Sequence, residues 1–282
     1  MEIIVARNSG FCYGVKRALR LALKTGKHSG GRVFSWGEII HNPEVIADLK
    51  NKGIEVANSL RQLRPGDTVI IRSHGVSPAV LKSLKAKKVK IVDATCPIVK
   101  NIQKTVERLS RQRQEIVIVG NRNHPEIQGL LGYSRGKAVV VENEEQALAL
   151  PFRKKRAVLA QSTQDEQLFG QVVGILAGKT EELLVYNTIC QSTRVRQKAT
   201  AELAGQVQAL LIIGGRNSSN TSKLYQISRR LLPRTYLIER PEEITLEMLQ
   251  GVNKIGISGG ASTPPEVIQK TVLAIRNSFK QN

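Results

Sequence analysis

Short runs of Val, Ile and Leu recur along the chain, each bounded by polar residues or glycine. Strands or strand-and-loop segments are predicted at residues 3–5, 33–37, 53–56, 68–74, 89–92 and 116–120. Others are predicted at 138–141, 157–162, 183–186, 210–214, 235–238 and 254–262. Between several of these runs the apolar residues change to helical spacing. Examples are Val15, Ala18, Leu19 and Leu23; Val99, Ile102, Val106 and Leu109; and Val195, Ala199, Leu203 and Val207. Strands that alternate with helices predict an α/β fold with parallel sheets covered on both faces. Runs such as Ile-Val-Ile-Val fit strands with no solvent side.

The pattern repeats three times, marked by Cys12, Cys96 and Cys190, which divide the chain almost evenly. Each cysteine follows a short strand and precedes a basic amphipathic helix. The next strand ends at Gly37, Gly120 or Gly214, and four residues later stands His41, His124 or Ser218. A helix, a strand, a helix and a last strand follow, ending at a polar loop with His74, Ser162 or Ser262. Three similar modules are expected, at residues 13–96, 97–189 and 190–282. The N-terminal strand, within residues 1–12, would complete the last sheet. The expected architecture is a trefoil of small, mostly parallel sheets around a pseudo-threefold axis. Ligands of such sheets sit at the carboxyl ends of the strands, where these loops fall.

A chain of 282 residues suits two or three domains. No stretch of 18 apolar residues is present, so no membrane span is expected. The opening Met-Glu-Ile-Ile-Val-Ala lacks a basic leader and reads as a first strand, which points to a cytoplasmic protein. The net charge of +20 suggests an anionic partner. The basic residues are spread out, however, with local clusters only at 85–90 and at Arg153-Lys154-Lys155-Arg156. At 4% aromatics the chain is poor in base-stacking groups, so a solvated basic surface outweighs a nucleic-acid patch.

Three cysteines cannot all pair within one chain. On count alone they could be inert core thiols. At equivalent positions of a threefold repeat they suit one [4Fe–4S] cluster, with three Cys ligands and one open iron. A Cys₃His zinc site is the rival, although no close Cys pair supports it. His41, His74, His124, Ser162, Ser218, Ser219, Asn220 and Ser262 supply hydrogen-bond donors near helix starts, which suits a phosphate or diphosphate. Each Ser or Asn equally suits a helix N-cap. His28 lies in a polar loop and reads as exposed. Glu126 follows His124-Pro125, either as an ordinary helix opening or as a proton donor.

Specific motifs extend this reading. They are Gly10-Phe11-Cys12-Tyr13-Gly14-Val15 with Arg17-Ala18, Gly37-Glu38-Ile39-Ile40-His41-Asn42, Ser73-His74-Gly75-Val76 and Asp93-Ala94-Thr95-Cys96-Pro97. Then come His124-Pro125-Glu126, Gln161-Ser162-Thr163, Thr188-Ile189-Cys190 with Arg196-Gln197, Asn217-Ser218-Ser219-Asn220-Thr221 and Gly259-Gly260-Ala261-Ser262-Thr263-Pro264. In this order the chain resembles the LytB/IspH family, the 4-hydroxy-3-methylbut-2-enyl diphosphate reductases of the non-mevalonate isoprenoid pathway.

The resemblance implies reductive dehydroxylation of that allylic diphosphate to isopentenyl and dimethylallyl diphosphates. It implies Cys12, Cys96 and Cys190 as cluster ligands, and Glu126 as the residue of proton delivery. His41, His74, His124, Ser218, Ser219, Asn220 and Ser262 would hold the diphosphate, and Ser162 would touch the substrate alcohol and Glu126. Ferredoxin or flavodoxin is the implied electron donor. Two positions depart from the family pattern: Ser162 stands where Thr is common, and Asn123 where Gly is common. Asn tolerates left-handed backbone, so the turn before His124 is expected to survive. A nucleic-acid-binding protein and a zinc-stabilised phosphate-binding module are the competing classes.

Overall fold

The computed structural model describes residues 1–112 and 114–278. Among these residues the chain forms three four-stranded sheets, all parallel. The chain starts with β1 (Glu2–Val5) and α1 (Tyr13–His28). The first complete sheet follows, with β2 (Val33–Trp36), α2 (Pro43–Asn51), β3 (Ile54–Ala57), β4 (Thr68–Ile71), α3 (Pro78–Ala86) and β5 (Lys90–Asp93). The second is built from α4 (Pro97–Arg111), β6 (Glu115–Val119), α5 (Pro125–Tyr133), β7 (Ala138–Val141), α6 (Glu144–Leu148), β8 (Arg153–Ala160), α7 (Glu166–Ala177) and β9 (Thr180–Tyr186). The third contains α8 (Gln191–Ala204), β10 (Ala209–Ile213), α9 (Ser219–Leu231), β11 (Thr235–Ile238), α10 (Leu246–Leu249), β12 (Lys254–Gly259) and α11 (Pro265–Ser278).

The strand orders are β3-β2-β4-β5, β7-β6-β8-β9 and β11-β10-β12-β1. In the third sheet β1 occupies the edge that β5 and β9 occupy in the others, and pairs from Glu2 against Lys254 to Val5 against Ile257. The chain divides into two compact units. One contains Met1–Tyr13, His41–Val45 and the chain from Gln191 onward. The other contains Gly14–Ile40 and Ile46–Cys190.

The apolar runs are continuous because both faces of each sheet are covered. Along β6, Ile116 and Ile118 pack with Ile102, Val106 and Leu109 of α4 and Ile127 and Leu130 of α5. Val117 and Val119 point the other way, onto Phe169, Val172 and Leu176 of α7. β10 divides likewise: Leu211 and Ile213 share a cluster with Val267, Ile268 and Ile275, while Leu210 and Ile212 meet Leu203 and Leu224. Within the larger unit α3 approaches α5 where Gly132 leaves room, since a Cβ there would lie 2.4 Å from Ser77 Cβ. No described helix is long and apolar enough to cross a membrane.

The basic quartet at 153–156 opens β8, with Arg153, Lys154 and Lys155 exposed and only Arg156 turned inward. Arg156 is fully buried. Its Nε donates to Glu115 Oε2 at 2.5 Å, and its Nη atoms donate to Pro151 O, Thr180 Oγ1 and Lys179 O. Arg153 pairs with Glu115 and Lys155 with Glu182.

Candidate active site

In each sheet the chain leaves a central strand, steps outward to its neighbour, then crosses back to a second central strand beside the first. Loops at the carboxyl ends of two such strands diverge and leave a cleft, which is where parallel sheets bind ligands. His41, His124 and Ser218 follow β2, β6 and β10. His74, Ser162 and Ser262 follow β4, β8 and β12.

The three cysteines lie on the loops after β5, β9 and β1, and all are half-buried. Cys12 and Cys190 immediately precede α1 and α8, and Cys96 occupies the N-cap of α4 without a side-chain cap bond. Helix starts favour negatively charged groups. The backbone N–H of Cys96 donates to Ser73 O at 2.9 Å, that of Cys190 to Ser162 O at 2.9 Å, and that of Cys12 to Ala261 O at 3.1 Å. Each acceptor is the second residue past the adjoining central strand. By this measure Ser162 stands level with Ser73 and Ala261, and Thr163 stands level with His74 and Ser262. The sequence pattern sets Ser162 level with His74 and Ser262; counting from the strand end puts Thr163 there instead, one residue further on.

Two arginines beyond each motif's core also escaped notice as site residues. Arg17 of α1 donates from Nη1 to Thr95 O at 3.1 Å, holding the residue before Cys96. Arg196 of α8 is 2% exposed. It donates to Asn8 O at 3.0 Å and to Gly10 O at 2.8 Å, holding the loop that leads to Cys12.

In the unit that contains them, Glu126, His124, His74 and Ser162 form one polar group. Pro125 starts α5, and His124 is its N-cap: the imidazole Nδ1 accepts the Glu126 N–H at 3.2 Å. An accepting Nδ1 leaves Nε2 as the protonated nitrogen of the neutral ring, a fixed donor. The His74 ring meets His124 edge-on, with centroids 5.2 Å apart. The turn before His124 is made by Asn121, whose Oδ1 accepts the Asn123 N–H and whose carbonyl accepts the His124 N–H. Asn123 is not among the positive-φ residues, so glycine is not required there.

Glu126 is 1% exposed and does not cap its helix. Its carboxyl faces Ser162 instead. The Ser162 N–H donates to Oε1 at 2.7 Å, and the Ser162 hydroxyl lies 2.6 Å from Oε2. Burial raises the Glu126 pKa above its ordinary value, and the two bonds from Ser162, which favour the ionised form, do not cancel that effect.

The other unit carries Ser218, Ser219, Asn220, Ser262 and His41. Ser218 caps α9, its Oγ accepting the Thr221 N–H, and Ser219 opens the helix. Ser262 Oγ lies 3.1 Å from His41 O and 3.4 Å from Ser218 Oγ. His41 does not cap α2; Asn42 Oδ1 does, accepting the Val45 N–H. Asn220 is 3% exposed, yet neither its Nδ2 nor its Oδ1 has a hydrogen-bond partner. A buried amide with both ends unsatisfied costs free energy unless a ligand answers it. Gly214 has φ +147°, and a Cβ there would meet Thr263 Oγ1 at 2.6 Å and Thr221 Oγ1 at 2.7 Å. Only glycine lets the end of β10 pass so close to α9. Hydroxyls, an unanswered amide and the N-terminus of a 13-residue helix together describe an anion cradle.

A family model described as LytB protein matches residues 3–276. The chain belongs to the LytB family. This LytB chain is 45% identical over 273 residues to the 4-hydroxy-3-methylbut-2-enyl diphosphate reductase of Aquifex aeolicus, covering 96% of this chain and 94% of that one. Among solved structures it resembles an (E)-4-hydroxy-3-methyl-but-2-enyl diphosphate reductase, described as the terminal enzyme of the non-mevalonate pathway. That match has 44% identity and a TM-score of 0.69, over 98% of this chain and 100% of the other. It also resembles the E-1-hydroxy-2-methyl-but-2-enyl-4-diphosphate reductase of Plasmodium falciparum, at 27% identity and a TM-score of 0.93. There 96% of this chain and 87% of the other are covered.

Proposed function

We propose that this LytB chain is a reductase of 4-hydroxy-3-methylbut-2-enyl diphosphate, yielding isopentenyl and dimethylallyl diphosphates, with one [4Fe–4S] cluster on Cys12, Cys96 and Cys190. The donor set fits that group. The three ligands are soft thiols, each at a helix start and each braced through its N–H by the loop that follows the adjoining central strand. When bound, the cluster supplies electrons and, through an iron without a protein ligand, Lewis acidity toward the substrate alcohol.

The remaining chemistry falls to side chains. Ser218, Ser219, Asn220, Ser262 and His41 bind the diphosphate, joined by His74 and by the His124 Nε2–H. Glu126 supplies the proton that lets the hydroxyl leave as water. Burial favours the protonated form of its carboxyl, the form a proton donor needs. The short contact from Oε2 to the Ser162 hydroxyl lets that hydroxyl accept from the carboxylic acid while turning its own proton toward the substrate. Ser in place of Thr preserves this relay and loses only a methyl group. The reaction consumes two electrons and two protons. One proton leaves in water and the other forms the new C–H bond. Ferredoxin or flavodoxin delivers the electrons singly.

The buried Glu126–Ser162 pair carries this reading, because a structural helix cap has no use for a carboxyl that is buried and turned away from its own helix. The test is anaerobic reconstitution with iron and sulfide, followed by assay with the hydroxylated diphosphate. Wild type is expected to bind about four irons and turn over. Cys→Ser at 12, 96 or 190 should lose iron and nearly all turnover. One zinc and no iron in protein purified without air would refute the assignment.

A further inference from the structure

Helices α1, α4 and α8 share a feature beyond their cysteines. Four and eight residues past each cysteine stand basic residues: Lys16 and Arg20, Lys100 and Lys104, Arg194 and Lys198. Spacing of i, i+4 puts each pair on one helix face. None of these helices has an acidic residue in its first turn; α3 and α9 lack one too, whereas α2, α5, α6, α7, α10 and α11 have one. A cation in the first turn opposes the helix dipole and costs about 0.3–1 kcal/mol when exposed. Three such placements in one register, Lys16, Lys100 and Arg194, each followed one turn on by a second cation, work against helix stability and call for another explanation.

α1 and α4 lie in one unit, where the bond from Arg17 to Thr95 O holds α1 beside the start of α4. α1 has five Lys or Arg and no Asp or Glu. Lys16, Arg20 and Lys104 are exposed. Lys100 is answered by Asp93 at 2.7 Å and adds little net charge. Beside half-buried Cys96, Ile98 is 40% exposed, an apolar point next to the basic residues.

We infer that this face of α1 and α4 docks an acidic one-electron carrier protein, with Lys16, Arg20 and Lys104 steering it and Ile98 seating it beside Cys96. The inference rests on the reductase reading and names where its electrons enter. Each docking oxidises the carrier by one electron. Two dockings supply one turnover, in which the substrate C–O bond breaks, the hydroxyl takes a proton and leaves as water, and a second proton completes the C–H bond. A cationic rim facing an anionic carrier raises the association rate, and salt weakens the effect.

The test compares two reductants on the reconstituted enzyme: a reduced, acidic [2Fe–2S] ferredoxin and the small cation reduced methyl viologen. The K16E/R20E/K104E variant should raise KM for ferredoxin about tenfold or more at low salt and flatten its ionic-strength dependence. Turnover with methyl viologen should stay within about twofold of wild type, which also shows that the variant folds and holds its metal. I98D should raise the ferredoxin KM while leaving the salt dependence in place. An unchanged ferredoxin KM, or equal losses with both reductants, overturns the docking face. Wild-type enzyme that turns over with neither reductant overturns the reductase reading beneath it.

Discussion

Glu126 and Ser162 form a pair in which each side chain sets the other's state. The carboxyl holds its proton above the ordinary value of 4.5 because burial disfavours its charge. A group whose folded-state pKa is raised stabilises the fold fully below its unfolded value, and that contribution is lost as pH rises through the folded value. E126Q cannot ionise and escapes the loss. Urea titrations should therefore show E126Q gaining on wild type as pH rises above 4.5, with the gap closing below it. Turnover of E126Q should fall about 10²- to 10⁴-fold while iron content is unchanged. The local pattern alone could not choose between cap and acid for Glu126, because His-Pro-Glu opens a helix equally well either way; the family resemblance chose the acid. The structure adds that the His124 imidazole takes the capping contact and that the carboxyl faces Ser162, 36 residues on.

At the scale of elements, the strands and the long helices of the described residues were legible: central strands buried on both faces show as unbroken apolar runs, and the more exposed edge strands as shorter runs beside them. The basic quartet was not. Charged residues do not read as strand, and only the pairing of β8 with β6 and β9 shows Arg156 turned inward to Glu115 and Thr180. Arg196 was likewise visible only as part of a motif. Besides Ser192 O in its own helix, its carbonyl partners lie 186 and 188 residues away in the chain. R196M should lower the unfolding free energy by about 1.5–3 kcal/mol, the worth of bonds to a charged donor. It should also lower retained iron per chain, because the loop before Cys12 loses its brace. Iron content equal to wild type would reduce Arg196 to a packing role. R196K, which cannot reach both carbonyls in the same planar fork, should fall between the two.

Across the whole molecule, one strand order occurs three times, with β1 filling the position of β5 and β9. Ile3 packs against the cluster that contains Ile255, Ile257 and Ile275. A chain lacking residues 1–6 leaves the edge of β12 open, and an open edge beside an apolar cluster invites pairing with other chains. Light scattering should show this truncated chain associating where the full chain does not; a monodisperse product would count against β1 as the seal of that sheet. The excess of positive charge belongs to the same scale. Composition gave its size but not its use, because the number +20 does not distinguish Arg156, locked inside a sheet, from Lys16 on an open helix face.

The pairing of β1 with β12 also fixes an order of events during synthesis. The ribosome makes β1 long before its partner, which begins only at Lys254. Until then a newborn chain carries a short apolar segment with nowhere to settle, while the sheet of β2 to β5, contiguous in sequence, can already form. Cys12 travels on that waiting segment. The cluster proposed on all three thiols would therefore assemble only after β12 has emerged, and a ribosome stalled before Lys254 would hold a product whose Cys12 has no seat.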